Sequence, residues 1–141
     1  MIINSKYNFL IPLRVKKLIR LGRNFDGGYL VCENTLKYCE NLITFGVGDD
    51  LSFEIDFYKK VKKKKIYLFD YTVNHNLFLR IILKYLRRLT TFRSKFKNLT
   101  YSIQNYYNFV KFINKNNVFF YKLRVVKKIQ KKFDIKLCKI F

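Results

Sequence analysis

The residues best suited to chemistry lie in one short part of the chain, which holds every glycine and nearly every carboxylate. The five glycines lie between positions 22 and 48, and eight of the nine acidic residues lie between positions 26 and 70. Gly46 and Gly48 follow an apolar run, and Asp70 ends the next apolar run, 22 residues after Gly48. A glycine turn between a strand and a helix lets a ligand approach the main chain, and an acid on the next strand can accept hydrogen bonds from both hydroxyls of a ribose. These residues predict a site for a nucleoside-type cofactor.

The details of this turn favour a cofactor that carries no phosphates. A dinucleotide fingerprint has a third glycine where this chain has Leu51, and Asp49 and Asp50 would repel a pyrophosphate. The same two carboxylates would attract a cation, and S-adenosylmethionine carries both a sulfonium and an ammonium group. The alternative is an ordinary turn, because an isolated Gly-x-Gly is common in proteins.

The elements that must position this site form a strand–helix–strand unit. Residues 42–45 and 66–69 are apolar runs that predict buried strands. Between them, Leu51, Ile55 and Tyr58 fall on one face of a helix that begins near Asp50. We therefore predict an α/β fold, a partial Rossmann-like (doubly wound) sheet with residues 46–50 at the carboxyl end of its first core strand.

Outside this unit the patterns assign further elements. We predict a helix at 13–21, a strand at 29–33, helices at 77–89 and 105–113, and a strand at 118–123. We interpret the chain as a single domain, with an N-terminal helix and strand extension (1–40), core βαβ units (41–123) and an irregular tail (124–141).

Three motifs follow one another over residues 20–73. They are Arg23-x-x-Asp26-Gly27-Gly28-Tyr29, Phe45-Gly46-Val47-Gly48-Asp49-Asp50-x-Ser52-Phe53-Glu54 and Phe69-Asp70-x-Thr72-Val73. Together they resemble a branch of the FkbM-type methyltransferases. The resemblance implies methyl transfer from S-adenosylmethionine to a hydroxyl of a sugar or a similar small-molecule or glycan acceptor.

The resemblance and the local pattern together define a candidate site. The predicted cofactor-binding residues are Gly46, Gly48, Asp49, Asp50, Ser52 and Asp70. The residues predicted to lie beside the site are Arg23, Asp26, Gly27, Gly28, Tyr29 and Glu54. We expect Asp26 to bond to its local main chain or to Arg23, although a plain hairpin-like turn is the alternative. We assign no catalytic residue and no metal ligand.

This chain departs from the general methyltransferase pattern at two points. Thr44 stands where that pattern has an acid, two residues before Gly46, so Asp49 or Asp50 would have to contact the methionine part of the cofactor. The resemblance also stops after Asp70, because the Asp-x-Glu-Gly-like motif of such domains has no counterpart and Asp134 is the only later acid. The sequence therefore predicts a truncated or frame-disrupted domain, and such a loss would impair catalysis by the chain alone.

The charge of the chain raises a second class of function. The net charge is +21, and residues 71–141 contribute +16 of it. A basic nucleic-acid-binding or anionic-surface-binding module is therefore the alternative to the methyltransferase, with a helical stripe formed by Arg80, Lys84, Arg87 and Arg88. We favour codon bias as the source of the charge, since residue types with A/T-rich codons (Phe, Tyr, Lys, Asn and Ile) make up 75 of the 141 residues.

The remaining reactive residues indicate little chemistry. Cys32, Cys39 and Cys138 form no Cys-x-x-Cys pair, and we expect free thiols in a reducing cytoplasm. His75 is either a general base or a solvated loop residue, and we favour the loop residue. We find no apolar stretch long enough to span a membrane and no secretory signal, so we expect a cytoplasmic protein.

Overall fold

The computed structural model describes residues 17–24, 27–62, 64–126, 129, 131–132, 134–136 and 139–140. Within them the chain has a mixed α/β fold, which combines a three-stranded parallel sheet, two two-stranded sheets and four helices. The strands are β1 (Leu18–Leu21), β2 (Tyr29–Cys32), β3 (Asn41–Phe45), β4 (Lys65–Phe69), β5 (Val118–Tyr121), β6 (Arg124–Val126) and β7 (Asp134–Lys136). The helices are α1 (Glu33–Leu36), α2 (Ser52–Lys60), α3 (His75–Thr90) and α4 (Phe96–Ile113).

The central sheet has the strand order β3-β4-β5, and all its strands are parallel. Its register pairs Phe45 with Phe69 and Phe69 with Tyr121, so the three strands end at the same edge. β3, α2 and β4 form the strand–helix–strand unit that the sequence predicts, and that prediction is confirmed. Because the loops after parallel strands leave from one edge of a sheet, the turn at Gly46 and the carboxylate of Asp70 become neighbours.

One face of the central sheet belongs to the core that it shares with the helices. Ile66 and Leu68 of β4 are completely buried, and they join one apolar cluster with phenylalanines from α2, α3 and α4. These are Phe57, Phe78, Phe109 and Phe112. Burying a side chain of this size contributes about 1.5–3 kcal/mol, so the cluster holds the helices against the strands. The alternate residues Tyr67 and Phe69 point to the other face, as expected from the two-residue period of a strand.

α3 and α4 form an antiparallel helical hairpin. The side chain of Asn74 caps α3 by accepting a hydrogen bond from the main-chain N–H of Leu77 at 2.9 Å. Phe78, near the start of α3, packs against Tyr106 and Phe109 in the second half of α4. The prediction of a helix at 77–89 is confirmed, and the helix predicted at 105–113 is the second half of α4.

The first half of α4 is a helix that the sequence prediction missed. Its residues 96–104 include asparagine, threonine and serine, which have low helix propensity. Leu99 and Ser102 are nevertheless buried on one face, and the Ser102 hydroxyl donates to the main-chain oxygen of Leu99 at 2.8 Å. Tertiary packing of this face overrides the local composition.

The N-terminal helix prediction is wrong for the part that the structure describes. Residues 18–21 form strand β1, which pairs antiparallel with β2, and residues 13–16 lie outside the described residues. The strand predicted at 29–33 is confirmed as β2, although it ends at Cys32. Leu21 is completely buried, and Arg20 donates to the main-chain oxygens of Arg23 and Gly28. Pairing with β2, the next strand along the chain, therefore outweighs the helical spacing of this segment.

The tail predicted to be irregular from 124 to 141 contains two short strands, and for these residues the prediction is wrong. β6 and β7 pair in parallel, and Arg124 forms a two-point ion pair with Asp134. The Nε–Oδ1 and Nη2–Oδ2 distances are 2.9 and 3.1 Å. The late acid Asp134 thus holds the tail together. The strand predicted at 118–123 is confirmed as β5, which ends at Tyr121.

Candidate functional site

The turn after β3 is built on two glycines in a left-handed backbone conformation. The φ angles of Gly46 and Gly48 are +75° and +65°. The N–H of Gly46 donates to the main-chain oxygen of Phe69 at 3.0 Å, which extends the β3–β4 pairing into the turn. A Cβ atom on either glycine would meet no heavy atom within 4 Å. The backbone conformation therefore requires glycine here, while the space above both residues stays open.

Asp70 organises this turn from the end of β4. Its Oδ2 accepts a hydrogen bond from the N–H of Gly48 at 3.0 Å. Its Oδ1 accepts from the N–H and the hydroxyl of Thr72 at 2.7 and 2.6 Å and from the N–H of Val73 at 3.2 Å. Burial alone would raise the pKa of Asp70, but these hydrogen bonds from Thr72, Gly48 and Val73 together lower the pKa below its ordinary value. The residue predicted to bind a ribose is thus also the residue that shapes the glycine turn.

The start of α2 joins this turn to the β1–β2 hairpin. Asp50 Oδ1 accepts from the N–H of Ser52 at 3.0 Å, and Asp50 Oδ2 lies 2.8 Å from Nε of Arg23. The Ser52 hydroxyl accepts from the main-chain N–H of Arg23 at 3.1 Å. Asp50 therefore links Arg23 to the first residue of α2, although the N-cap residue of this helix is Leu51. Ser52, predicted to bind the cofactor, uses its hydroxyl to hold Arg23 beside the loop.

The glycine pair after Arg23 brings the hairpin turn against the loop. Gly27 has a φ of +91°, and a Cβ atom there would lie 2.5 Å from Oδ2 of Asp50. A Cβ atom on Gly28 would overlap the main-chain oxygen of Arg23. Both positions therefore exclude a side chain, because the turn is packed this closely.

Two further residues predicted to lie beside the site are Tyr29 and Asp26, and only Tyr29 is among the described residues. Tyr29 packs edge-on against Phe53 of α2, with ring centroids 5.3 Å apart. Asp26 lies outside the described residues, so the expected bond between Asp26 and its own turn is not part of the site as described.

Two clefts meet at the carboxyl end of β3, and both are lined by Phe45 and Gly46. The first has a volume of about 460 Å³. Of the predicted residues, it is lined by Arg23, Gly27, Tyr29, Gly46, Gly48, Asp49, Asp50 and Glu54. The second has a volume of about 420 Å³, and its lining includes Phe69, Asp70, Tyr71, Thr72 and Arg124. The predicted residues Ser52 and Gly28 line neither cleft. Both contact the main chain of Arg23, which lines the first cleft.

Glu54 is the buried acid of the first cleft. Only 4% of its surface is exposed, and burial raises the pKa of its carboxyl group. The negative charge of Asp50 also raises this pKa, whereas a hydrogen bond with the Thr44 side chain opposes the shift. Thr44 belongs to β3, so this hydrogen bond places the Glu54 carboxyl group, from the first turn of α2, beside the carboxyl end of that strand.

Tyr101 is a neighbour of the cleft that the sequence analysis did not assign to the site. Its hydroxyl accepts a hydrogen bond from Nη1 of Arg23 at 2.8 Å, across 78 residues of sequence. Arg23 therefore joins the loop at Asp50 to helix α4. The residues around Tyr101 in the sequence give no signal for such a contact.

The remaining candidates lie apart from the clefts. His75 begins α3, and its Nδ1 lies 2.9 Å from the hydroxyl of Tyr106. Cys32 and Cys39 are not in disulfide bonds, and Cys138 lies outside the described residues. In the described part of the chain, no group of three or more His, Cys, Asp or Glu residues is placed to hold a metal ion. No helix in that part combines the length and the apolar character needed to cross a membrane.

Comparison with known proteins gives no relative from which a function could be carried over. No protein-family model, no curated protein and no solved structure matches the chain.

Proposed function

We propose that the chain binds S-adenosylmethionine across Gly46 and is an FkbM-like methyltransferase domain that acts on a hydroxyl of a sugar or a similar small molecule. One observation carries the proposal. The main chain of Gly46 separates an acidic cleft from an aromatic cleft, and the space above it is open. A ligand with a cationic end and a nucleoside end, joined by a short linker, matches these two environments.

The first cleft suits the cationic end. It contains the carboxyl groups of Asp49, Asp50 and Glu54, and Arg23 is the basic residue in its lining. Two negative charges therefore remain after pairing when Glu54 is ionised, in a chain whose net charge is +21. A sulfonium or an ammonium group gains Coulomb energy in such a cleft, whereas a pyrophosphate loses it.

The second cleft suits the nucleoside end. Phe45 and Tyr71, which are both exposed, offer ring surfaces that a purine base can stack on. Asp70 Oδ2 accepts one hydrogen bond, from Gly48, and a carboxylate oxygen has two lone pairs. It can therefore accept a second hydrogen bond from a ribose hydroxyl without releasing the glycine turn.

The bound cofactor would supply a methyl group on its sulfonium sulfur. The methyl group would pass to the acceptor oxygen, a neutral thioether would remain, and the hydroxyl proton would pass to solvent. The role proposed for the residues of this chain is to bind and orient the cofactor. Glu54 and Asp49 would hold the cationic end, and Asp70 would fix the nucleoside end and the turn between the two.

Calorimetric titration with S-adenosylmethionine and with ATP tests this proposal. We expect S-adenosylmethionine to bind and ATP to bind much more weakly, since Asp49 and Asp50 repel phosphates. Glu54→Gln and Asp70→Asn should each weaken binding at least tenfold, because hydrogen bonds to charged groups contribute about 1.5–3 kcal/mol. Glu40→Gln, an exposed carboxylate outside both clefts, is the matched control and should change nothing.

Three results would contradict the proposal. The first is that S-adenosylmethionine does not bind the folded wild-type chain. The second is that ATP binds as tightly as S-adenosylmethionine. The third is that the Glu54, Asp70 and Glu40 variants all bind S-adenosylmethionine with the same affinity. The folded state of each variant is checked by circular dichroism before titration.

A further inference from the structure

The free end of the α3–α4 hairpin exposes large apolar side chains. Phe92, in the connection between the two helices, is 97% exposed, and Phe96 at the start of α4 is 65% exposed. Leu79, Leu83 and Leu86 form an exposed stripe along α3, at the i, i+4, i+7 spacing of one helix face. A contiguous apolar surface of this kind on a folded chain marks an interaction site.

Phe92 occupies a position that normally belongs to glycine. Its N–H donates to the oxygen of Leu89 at 3.1 Å, and the N–H of Arg93 donates to the oxygen of Arg88 at 2.8 Å. This pair of hydrogen bonds is the Schellman motif that ends many helices, and Phe92 takes its left-handed position with a φ of +54°. A bulky residue is strained in that conformation. Because the ring is also almost fully exposed, no buried apolar area compensates for this backbone strain. This combination indicates that Phe92 has a role outside folding.

Basic side chains surround this apolar end. The exposed Arg87 and Arg88 lie in the last turn of α3, and Arg93, Lys95 and Lys97 follow within ten residues. The stripe predicted from the sequence, with Arg80 and Lys84 on the same helix, runs beside the exposed leucines. No acidic residue occurs between Asp70 and Asp134 in the sequence. The hairpin therefore presents apolar groups and positive charge together, with nothing to neutralise them locally.

We propose that the tip of the α3–α4 hairpin docks on an anionic lipid bilayer. Phe92 and Phe96 enter the boundary between headgroups and acyl chains, while Arg87, Arg88 and Arg93 contact the anionic headgroups. Interfacial binding of this kind combines buried apolar area with electrostatic attraction. It requires no helix that spans the membrane, and it is independent of the cofactor site proposed above.

The chemistry of the tip favours a bilayer over a nucleic acid. Single-stranded nucleic acid binds in positively charged grooves in which bases stack on aromatic rings. The hairpin instead presents three exposed leucines along α3, which offer no stacking surface, together with the exposed Phe92 and Phe96 at its tip. A hydrocarbon boundary matches leucine and phenylalanine alike.

Vesicle co-sedimentation near physiological ionic strength tests the proposal on the full chain. Vesicles of phosphatidylcholine alone are compared with vesicles of phosphatidylcholine and phosphatidylglycerol, and we expect binding to the second kind. A triple variant with Arg87→Gln, Arg88→Gln and Arg93→Gln should bind these vesicles at least tenfold more weakly. Each basic residue near an anionic surface adds to the electrostatic attraction that holds the protein on the bilayer. A charge-matched control replaces three exposed lysines outside the hairpin, Lys37, Lys60 and Lys62, by Gln and should retain most of the binding.

The apolar contribution is tested separately by substitutions at the tip. Phe92→Gly combined with Phe96→Ser should reduce vesicle binding at least tenfold, whereas Tyr38→Ser, at an 86% exposed aromatic outside the hairpin, should leave it unchanged. The chain has no tryptophan, so Phe92→Trp introduces a single reporter. Its fluorescence should shift to shorter wavelength with anionic vesicles and be quenched by brominated lipid.

Each contrary result overturns the proposal. One is equal vesicle binding by the arginine variant and its lysine control. Another is a Phe92→Trp reporter that stays at its solvent-exposed wavelength while the chain sediments with vesicles. A third is that the chain does not bind vesicles but binds single-stranded RNA in a salt-resistant way that requires the same arginines and Phe92. That result would identify the hairpin tip as a nucleic-acid-binding surface.

Discussion

The carboxylate of Asp70 holds the main-chain N–H of Gly48 at 3.0 Å, and this hydrogen bond joins the ends of two neighbouring parallel strands. The same carboxylate accepts three further hydrogen bonds from Thr72 and Val73. It therefore fixes two turns at once, the one after β3 and the one after β4. The proposed cofactor site depends on this arrangement, because the open space above the glycines exists only while the turn keeps its shape.

Replacing Asp70 by Asn should destabilise the fold by about 1–3 kcal/mol. The amide oxygen can still accept from Thr72 and Val73, but the amide nitrogen is a donor and would face the N–H of Gly48. One buried donor is then left without an acceptor. Urea denaturation of Asp70→Asn and of the Glu40→Gln control measures the difference. Equal midpoints for the two variants would show that the Gly48 contact adds nothing to stability.

The pH dependence of this destabilisation follows from the direction of the pKa shift. The folded-state pKa of Asp70 is lowered, so the unfolded chain binds its proton more tightly than the folded chain does. The stability that Asp70 contributes is present above its unfolded pKa of about 3.9 and is lost as the pH falls through the lower folded pKa. The stability difference between wild type and Asp70→Asn should therefore be constant near neutrality and shrink in strong acid. Thermal melts across this pH range provide the check.

Glu54→Gln should stabilise the folded chain at neutral pH while it weakens cofactor binding. Burial raises the folded pKa of Glu54, so its contribution to stability is fully present below the unfolded pKa of about 4.3 and is lost as the pH rises through the folded pKa. The glutamine variant has no proton to lose and should melt at a higher temperature than wild type at pH 7 and at nearly the same temperature near pH 4.

The same residue gives the proposed binding a proton signature. A cation bound beside Glu54 favours the ionised carboxylate, so binding should release protons at a pH near the raised pKa. Calorimetry in two buffers with different ionisation enthalpies measures this release. Wild type should release protons and Glu54→Gln should not. Equal proton release by both chains would remove Glu54 from the site.

The strand–helix–strand unit and its glycine turn could be predicted because their signals are local. Apolar runs, a helical period and glycines at positive φ are all properties of short segments, and β3, α2 and β4 follow them. The hairpin at 18–21 could not be predicted in this way, because four residues fit a strand or a helix equally well. Its pairing with β2, several residues along the chain, decides the outcome.

The parts of the site that the sequence did not reveal depend on contacts between distant segments. Arg23 and Tyr101 are 78 residues apart, and only the packing of α4 near the β1–β2 turn brings them together. Glu54 was predicted as a residue beside the site in the first turn of a helix. Its burial beside Thr44 arises from the docking of α2 on the sheet, which no periodicity encodes.

Gly46→Ala and Gly48→Ala should each destabilise the fold by about 1–2 kcal/mol, because an L-residue is strained at positive φ. Neither methyl group would clash with the protein, since nothing lies within 4 Å of either Cβ position. Both methyl groups would instead project into the space proposed for the cofactor. Binding should therefore fall by more than the stability loss predicts, measured by calorimetry below the melting temperature. Full affinity in both alanine variants would place the ligand elsewhere.

Phe92→Gly should stabilise the isolated chain, in contrast to most substitutions of a large apolar residue. Glycine removes the strain of the left-handed position, about 1–2 kcal/mol, while its greater freedom in the unfolded chain offsets about 0.5–1 kcal/mol of that gain. The exposed ring has no buried contacts to lose, so a net gain in the free energy of unfolding of roughly 0.5–1 kcal/mol should appear as a higher urea midpoint.

Phe92→Ala serves as the control, because it removes the ring but keeps the backbone strain. Its urea midpoint should match that of the wild type. A lower midpoint for Phe92→Gly would mean that the exposed ring contributes to folding, which would contradict a role for it in membrane contact alone. A higher midpoint together with weaker vesicle binding would show that this position gives up stability in exchange for interaction at the hairpin tip.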